Sequence, residues 1–282
     1  MKRIIIIVLA MVMILAGCGT KAKESSGSGS GVASSGGVEA SVVSRASEPV
    51  KESPVNPQGS DLRSRIKVPA GYTRIVENKG SFGDFLRNYK MLPDGSPVML
   101  YNGMPRTSDP AVCVFDMHLG KKDLQQCADS IMRIYAEYLM SVGRESDIAF
   151  HLADGSVCDW ISFKNSGGSF EGYLEKVFAY AGTYSMQTEC RPTSLDKLKT
   201  GDVFIKGGSP GHVVMVADIC ENNGKKAFLL AQGYMPAQQF HILENRLHEG
   251  DPWYYEDEVV YPFVTPEYTF GEGSLMHPTY LD

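Results

Sequence analysis

The chain has 282 residues, with 27 Lys and Arg against 33 Asp and Glu, a formal charge of −6 at pH 7. Residues 61–282 hold 21 of those cations and 29 of those anions, a net −8 with no basic stripe; this speaks against a nucleic-acid partner and against adhesion of that part to anionic headgroups. That stretch is long enough for one sizeable hydrophobic core.

The N-terminus carries Lys2 and Arg3 ahead of an apolar run from Ile4 to Leu15, too short to span a bilayer and remain there. Leu15-Ala16-Gly17-Cys18 follows and resembles the lipobox of bacterial lipoproteins. The resemblance implies removal of residues 1–17, diacylation of the Cys18 thiol and acylation of the new amine, so that the membrane is a partner through lipid. Each buried methylene then adds about 0.8 kcal/mol of anchoring. The alternative is an ordinary secretory signal that ends near a cysteine. Gly19 in place of Asp points to the outer membrane of a double-membraned cell envelope. Residues 18–60 are rich in Ser, Gly, Ala and Pro and lack aromatics, the composition of a flexible tether. Some forty such residues reach roughly 35 Å. The organisation expected is signal peptide 1–17, tether 18–60 and a single domain 61–282.

In the domain, Tyr72 to Val76 reads as a strand, Ser81 caps a short helix through Leu86, and 97–101 and 111–115 are further strand candidates. A helix is predicted over 124–141, with Asp123 and Gln126 as its capping box and Leu124, Cys127, Ala128, Ile131, Ile134, Tyr135, Tyr138 and Leu139 as one apolar stripe. Arg133 and Glu137 pair on its wet face and Gly143 stops it. Asp154-Gly155 turns a hairpin between 148–152 and 156–160. Ser169 caps a second helix over 170–180, and the remainder is β-rich, with strands at 203–205, 212–219 and 227–232. Residues beyond about 262 show no periodicity.

Five cysteines remain in the domain: Cys113, Cys127, Cys158, Cys190 and Cys220. Their odd number leaves at least one thiol free. None has metal-ligand spacing to another Cys or His, so neither a metal nor another cofactor is implied. Cys127 stands in the first turn of its helix, where unpaired N–H groups and the positive end of the dipole favour a thiolate. His212 opens the apolar run 213–217 and is the candidate proton acceptor. Gln232, at the end of the next strand, is the candidate that orients the imidazole; the nearby Gln238 and Gln239 compete for that part. The Cys127 N–H with the Gln126 or Gln125 side chain would hold an oxyanion. Cys127 also lies on its helix's apolar stripe, where a free cysteine is often an ordinary core residue. His118, His151 and His241 read as structural, and Trp160, Tyr135 and Tyr234 as cover or cleft aromatics.

Lys199-Thr200-Gly201-Asp202-Val203-Phe204-Ile205 followed by Gly211-His212-Val213-Val214-Met215-Val216 resembles the Gly-Asp-strand-turn-Gly-His-Val segment of NlpC-type, papain-like cell-wall amidases. That resemblance implies a papain-like α+β fold, a Cys-bearing helix packed on an antiparallel sheet, with Cys127, His212 and Gln232 in catalytic order. It covers about 20 residues, and Gln126-Cys127-Ala128-Asp129 departs from the Asp-Cys-Ser-Gly usual there. A second resemblance extends from about Val68 to Tyr255. Gly95 to Gly103, Asp123 to Asp129, Gly207 to His212 and Leu230 to Gln238 are similar to an uncharacterised family of bacterial lipoproteins, which brings no activity with it. The expectation is an envelope-anchored cysteine hydrolase cleaving an amide, with cell-wall stem peptides as the candidate substrate. The alternative is a non-catalytic tethered lipoprotein that binds a peptide or glycan.

Overall fold

The structure, a computed structural model, describes residues 53–282; the expected signal peptide, the lipidation residue Cys18 and the tether up to residue 52 lie outside the described residues. Residues 53–60, which composition assigns to the tether, are bonded into the domain. Val55 bridges to Ile66, and Gly59 O accepts from the buried Arg65 guanidinium at 2.6 and 2.9 Å.

The helices are α1 (Leu62–Arg65), α2 (Phe82–Arg87), α3 (Cys127–Ser141), α4 (Trp160–Asn165), α5 (Phe170–Tyr180) and α6 (Thr183–Thr188). The strands are β1 (Thr73–Arg74), β2 (Ala111–Val114), β3 (Ala149–His151), β4 (Val157–Asp159), β5 (Cys190–Pro192), β6 (Val203–Lys206), β7 (His212–Asn222), β8 (Lys225–Gln232), β9 (His241–Leu243), β10 (Tyr254–Tyr255), β11 (Phe263–Val264), β12 (Thr269–Phe270) and β13 (Leu275–Pro278). Nine of them form one antiparallel sheet in the order β2-β9-β8-β7-β6-β13-β5, with β1 added to β7 and β10 to β8. β3–β4 and β11–β12 are separate two-stranded hairpins.

The β7–β8 hairpin is the spine. Asn223 and Gly224, both at positive φ (50° and 80°), close it with Asn222 opposite Lys225, the two-residue turn that suits strand twist. Alternation sends Val213, Met215, Ala217, Leu229 and Ala231 to one face, where α3 packs with Ile131, Ile134 and Tyr135. Val214, Val216, Phe228 and Leu230 face the other way, against Phe263, Phe270 and Leu275. Both faces are covered, so His212 to Cys220 is buried without interruption. A bulge at Ala217 leaves the fully buried Asp218 to bind Arg74 at 2.6 Å and Arg87 at 2.8 Å, tying β1 and α2 to the spine.

The expectation of a papain-like (NlpC-type) fold is overturned. α3 does rest on β7 and β8, but the domain is mostly a large nine-stranded antiparallel sheet with few helices, and only α3 and α5 exceed six residues. The strands that change the architecture are the ones periodicity could not reveal. β11 and β12 are two residues each, too short to alternate. β13, inserted between β6 and β5, is buried at all four positions.

Two local readings are also corrected. The long helix begins at Cys127, because the Gln126 N–H bonds the Asp129 carboxylate at 3.0 Å, while Asp123 instead accepts from the Gln126 amide and from the Ala237 N–H at 2.7 Å. Arg133 is buried rather than on a wet face: α5 covers it, and it bonds Gln125, Glu137 and Glu171.

Candidate functional site

Close backbone approaches bring the first turn of α3 to the ends of β7 and β8. A Cβ on Gly233 would stand 2.5 Å from Ser130 Oγ and 2.7 Å from Gln126 O, so only glycine lets the end of β8 come so near the helix. In the turn before β7, a Cβ on Gly211 would meet Gly208 O at 2.4 Å and Thr183 Oγ1 at 2.5 Å; this turn folds against α6 and delivers His212.

Cys127 is the first residue of α3 and is buried. Its thiol is pushed up to about 12, first by burial and then by the Asp129 carboxyl; the nearby backbone N–H dipoles of Ala128, Val213 and Cys127 itself oppose this by favouring the thiolate. Val213 is the neighbour of His212, so helix start and strand start meet at this atom. Asp129 is itself pushed up to about 8 by burial, against the bond it accepts from the Gln126 N–H. Its Oδ1 has no partner among the described residues. An uncharged acid therefore stands beside the thiol at neutral pH.

His212 Nε2 lies 2.7 Å from Gln232 Oε1. Its other nitrogen, Nδ1, is buried with no hydrogen-bond partner among the described residues, so no hydrogen bond joins it to the thiol in this conformation. Burial draws the imidazole down to about 4, although the Gln232 bond and the Glu267 carboxylate both favour its charged form. Tyr234 and Tyr268, both partly exposed, lie against the ring at 5.1 and 5.3 Å between centroids. The site is closed: Cys127 is 6% exposed and His212 1%.

The structure separates the competing candidates. Of the three glutamines, Gln232 meets His212, Gln239 Oε1 accepts from the Met99 N–H, and Gln238 Nε2 has no partner among the described residues. The Gln126 amide gives one hydrogen to Asp123 at 3.1 Å, and Gln125 is bonded to His118 O and Arg133. His118 and His151 are exposed beside Glu171 and Glu189, and His241 is buried with Nδ1 donating to Gln239 O at 3.0 Å. Trp160 packs on Phe170, and the Tyr135 hydroxyl bonds Gly201 O at 2.7 Å; of the three cleft aromatics, Tyr234 alone reaches His212. A cavity of about 660 Å³ lined by Arg191, Lys197, Lys199 and His277 does not include the thiol. Among the described residues no cluster of His, Cys, Asp and Glu could hold a metal ion.

Sequence reasoning missed an outer layer. The Gln232 amide NH₂ donates to Glu267, in the β11–β12 turn, and Glu267 takes both guanidinium nitrogens of Arg106, one at 3.1 Å. Arg106 also lies over the Tyr234 ring at 5.6 Å. The separation of 161 positions from Arg106 to Glu267, both in short irregular segments, leaves no local pattern to read.

Residues 62–169 and 162–277 match the family model described as Domain of unknown function (4846). No curated protein and no solved structure matches the chain. The two matched stretches cover most of its length, and the chain belongs to this family.

Proposed function

We propose that this member of the Domain of unknown function (4846) family is an envelope-anchored cysteine hydrolase that cuts an amide bond, with peptidoglycan stem peptides as its substrate class. One convergence carries the reading. The Cys127 thiol, at the first residue of α3, lies close to the backbone of Val213, the residue after a histidine whose Nε2 is held by Gln232 and whose buried Nδ1 has no partner among the described residues. The local likeness of residues 199–216 to cell-wall amidases supports the role given to His212 and nothing about the fold.

In this reading Nδ1 takes the thiol proton as sulfur attacks the carbonyl carbon and the carbonyl π pair moves to oxygen. N–H groups at the helix start stabilise that oxyanion. Collapse breaks the C–N bond, and the amine leaves with the proton from Nδ1. Water, deprotonated by the same nitrogen, then opens the thioester, and the sulfur regains its proton. Burial keeps thiol and imidazole uncharged in the closed site, so substrate must displace the Tyr234 and Tyr268 rings before the proton moves. Lipid on Cys18 would hold the enzyme at the outer membrane, within reach of its polymer.

The closed site favours a second reading: a 6% exposed thiol without a bond to His212 suits a non-catalytic envelope protein that binds a peptide or glycan. Mass spectrometry of cell-wall fragments incubated with wild type and with Cys127→Ala separates the two. New amine and carboxyl termini in the wild-type digest alone support the hydrolase. Fragments that bind to both proteins and emerge uncut from both support the binder.

A further inference from the structure

A histidine beside a glutamine is ambiguous, because an amide can be turned to offer either its oxygen or its NH₂. In this site a third residue removes the ambiguity. Glu267 is 11% and Arg106 17% exposed at the side chain, and they pair through both guanidinium nitrogens. A guanidinium only donates, so the carboxylate held by it accepts on both oxygens. The Gln232 nitrogen that meets Glu267 must therefore be the donor, which leaves Oε1 for His212 at 2.7 Å. That oxygen can only accept, so the ring hydrogen belongs on Nε2. A neutral imidazole has a single N–H, and Nδ1 is left with its lone pair bare.

We propose that Glu267, anchored by Arg106, is the positioning residue that fixes the tautomer of His212 through Gln232 and so makes Nδ1 the acceptor nitrogen. Glu267 bonds Gln232 and Arg106 rather than the imidazole; it acts by denying the Gln232 amide its second orientation. Only the use of Nδ1 as the base rests on the hydrolase reading. The tautomer does not.

The experiment is ¹⁵N NMR of the histidine ring nitrogens in the full domain, with His212 assigned by its loss in His212→Gln. Wild type should show a protonated Nε2 and a bare Nδ1, with the wide separation of resonances that one fixed tautomer gives. In Glu267→Gln the new amide can donate as well as accept, so Gln232 is free to turn and the two resonances should move towards each other. Gln232→Ala, which removes the partner altogether, should move them as well. A wild-type His212 with hydrogen on Nδ1 overturns the inference, and that result needs no variant to fold. A folded Glu267→Gln with wild-type resonances overturns it too. Cleavage assays on the same proteins keep the claims apart. Tautomer control without any cleavage would leave this inference standing and remove the hydrolase; cleavage with an indifferent Glu267 would do the reverse.

Discussion

Replacing Asp129 by Asn tests the electrostatics of the helix start without altering its shape. The Asn oxygen can still accept the Gln126 N–H bonded at 3.0 Å, and the second position, unpartnered in the wild type among the described residues, becomes an unpartnered NH₂. What the substitution removes is ionisation. Burial raises the folded carboxyl from 3.8 to about 8, so between those values the unfolded chain gives up a proton that the folded chain keeps. Wild-type stability from this group is thus fully present below about pH 4, falls as pH rises, and is lost once pH passes about 8. The full difference is roughly 6 kcal/mol, and water drawn to a buried carboxylate reduces it, so we expect about 2–4 kcal/mol. Urea denaturation at pH 4.5, 7 and 9 should show Asp129→Asn close to wild type at the lowest pH and progressively more stable than it up to about pH 8. A stability difference that does not change with pH, or one that favours wild type as pH rises, would exclude a carboxyl raised by burial at this position.

The histidine should act in the opposite sense. With His212 drawn down to about 4 from 6.5, its contribution is present above pH 6.5 and lost as pH falls through about 4, so a His212→Gln variant should lose less stability than wild type over that window in the same denaturation series. Gly233→Ala, whose Cβ meets Ser130 Oγ and Gln126 O, should cost about 1–3 kcal/mol by overpacking and reduce cleavage more than Gly→Ala at the open position Gly120, compared by melting and fragment assay. Asp218→Ala leaves Arg74 and Arg87 without their carboxylate beneath the bulge and should cost about 3–5 kcal/mol, read from the urea midpoint. In the closed protein Cys127 should react slowly with iodoacetamide at neutral pH, and cell-wall fragments that open the site should speed it; labelling unaffected by fragments contradicts the opening step.

Turn and cap chemistry can be read from the chain because it is local. Asp154-Gly155 closes β3–β4, Asn223-Gly224 closes β7–β8, and Ser81 and Ser169 accept from N–H groups three residues on, as their spacing predicts. The start of α3 cannot be read, since Asp123 is drawn away by the Ala237 N–H, more than a hundred residues later. Arg133 escapes for a related reason: helical spacing identifies the face opposite the apolar stripe but not whether a second helix covers it. His212 and Gln232 are legible as neighbours because they stand at the open end of one hairpin. Glu267, which dictates how they meet, sits in a turn between two-residue strands, and its partner Arg106 comes from an irregular segment far upstream. The architecture stays hidden for the same cause, because short, fully buried strands such as β13 carry neither alternation nor helical period.

In the proposed hydrolysis Cys127 forms a covalent bond with the acyl group of its substrate. Acid quenching of the protein milliseconds to seconds after mixing with peptidoglycan fragments, followed by peptide mass spectrometry, reads that bond directly. An acyl adduct is expected on the peptide containing Cys127, lost in Cys127→Ala and strongly reduced in His212→Gln. Fragments bound with full occupancy, with no adduct on Cys127 at any time and no new termini, would contradict it.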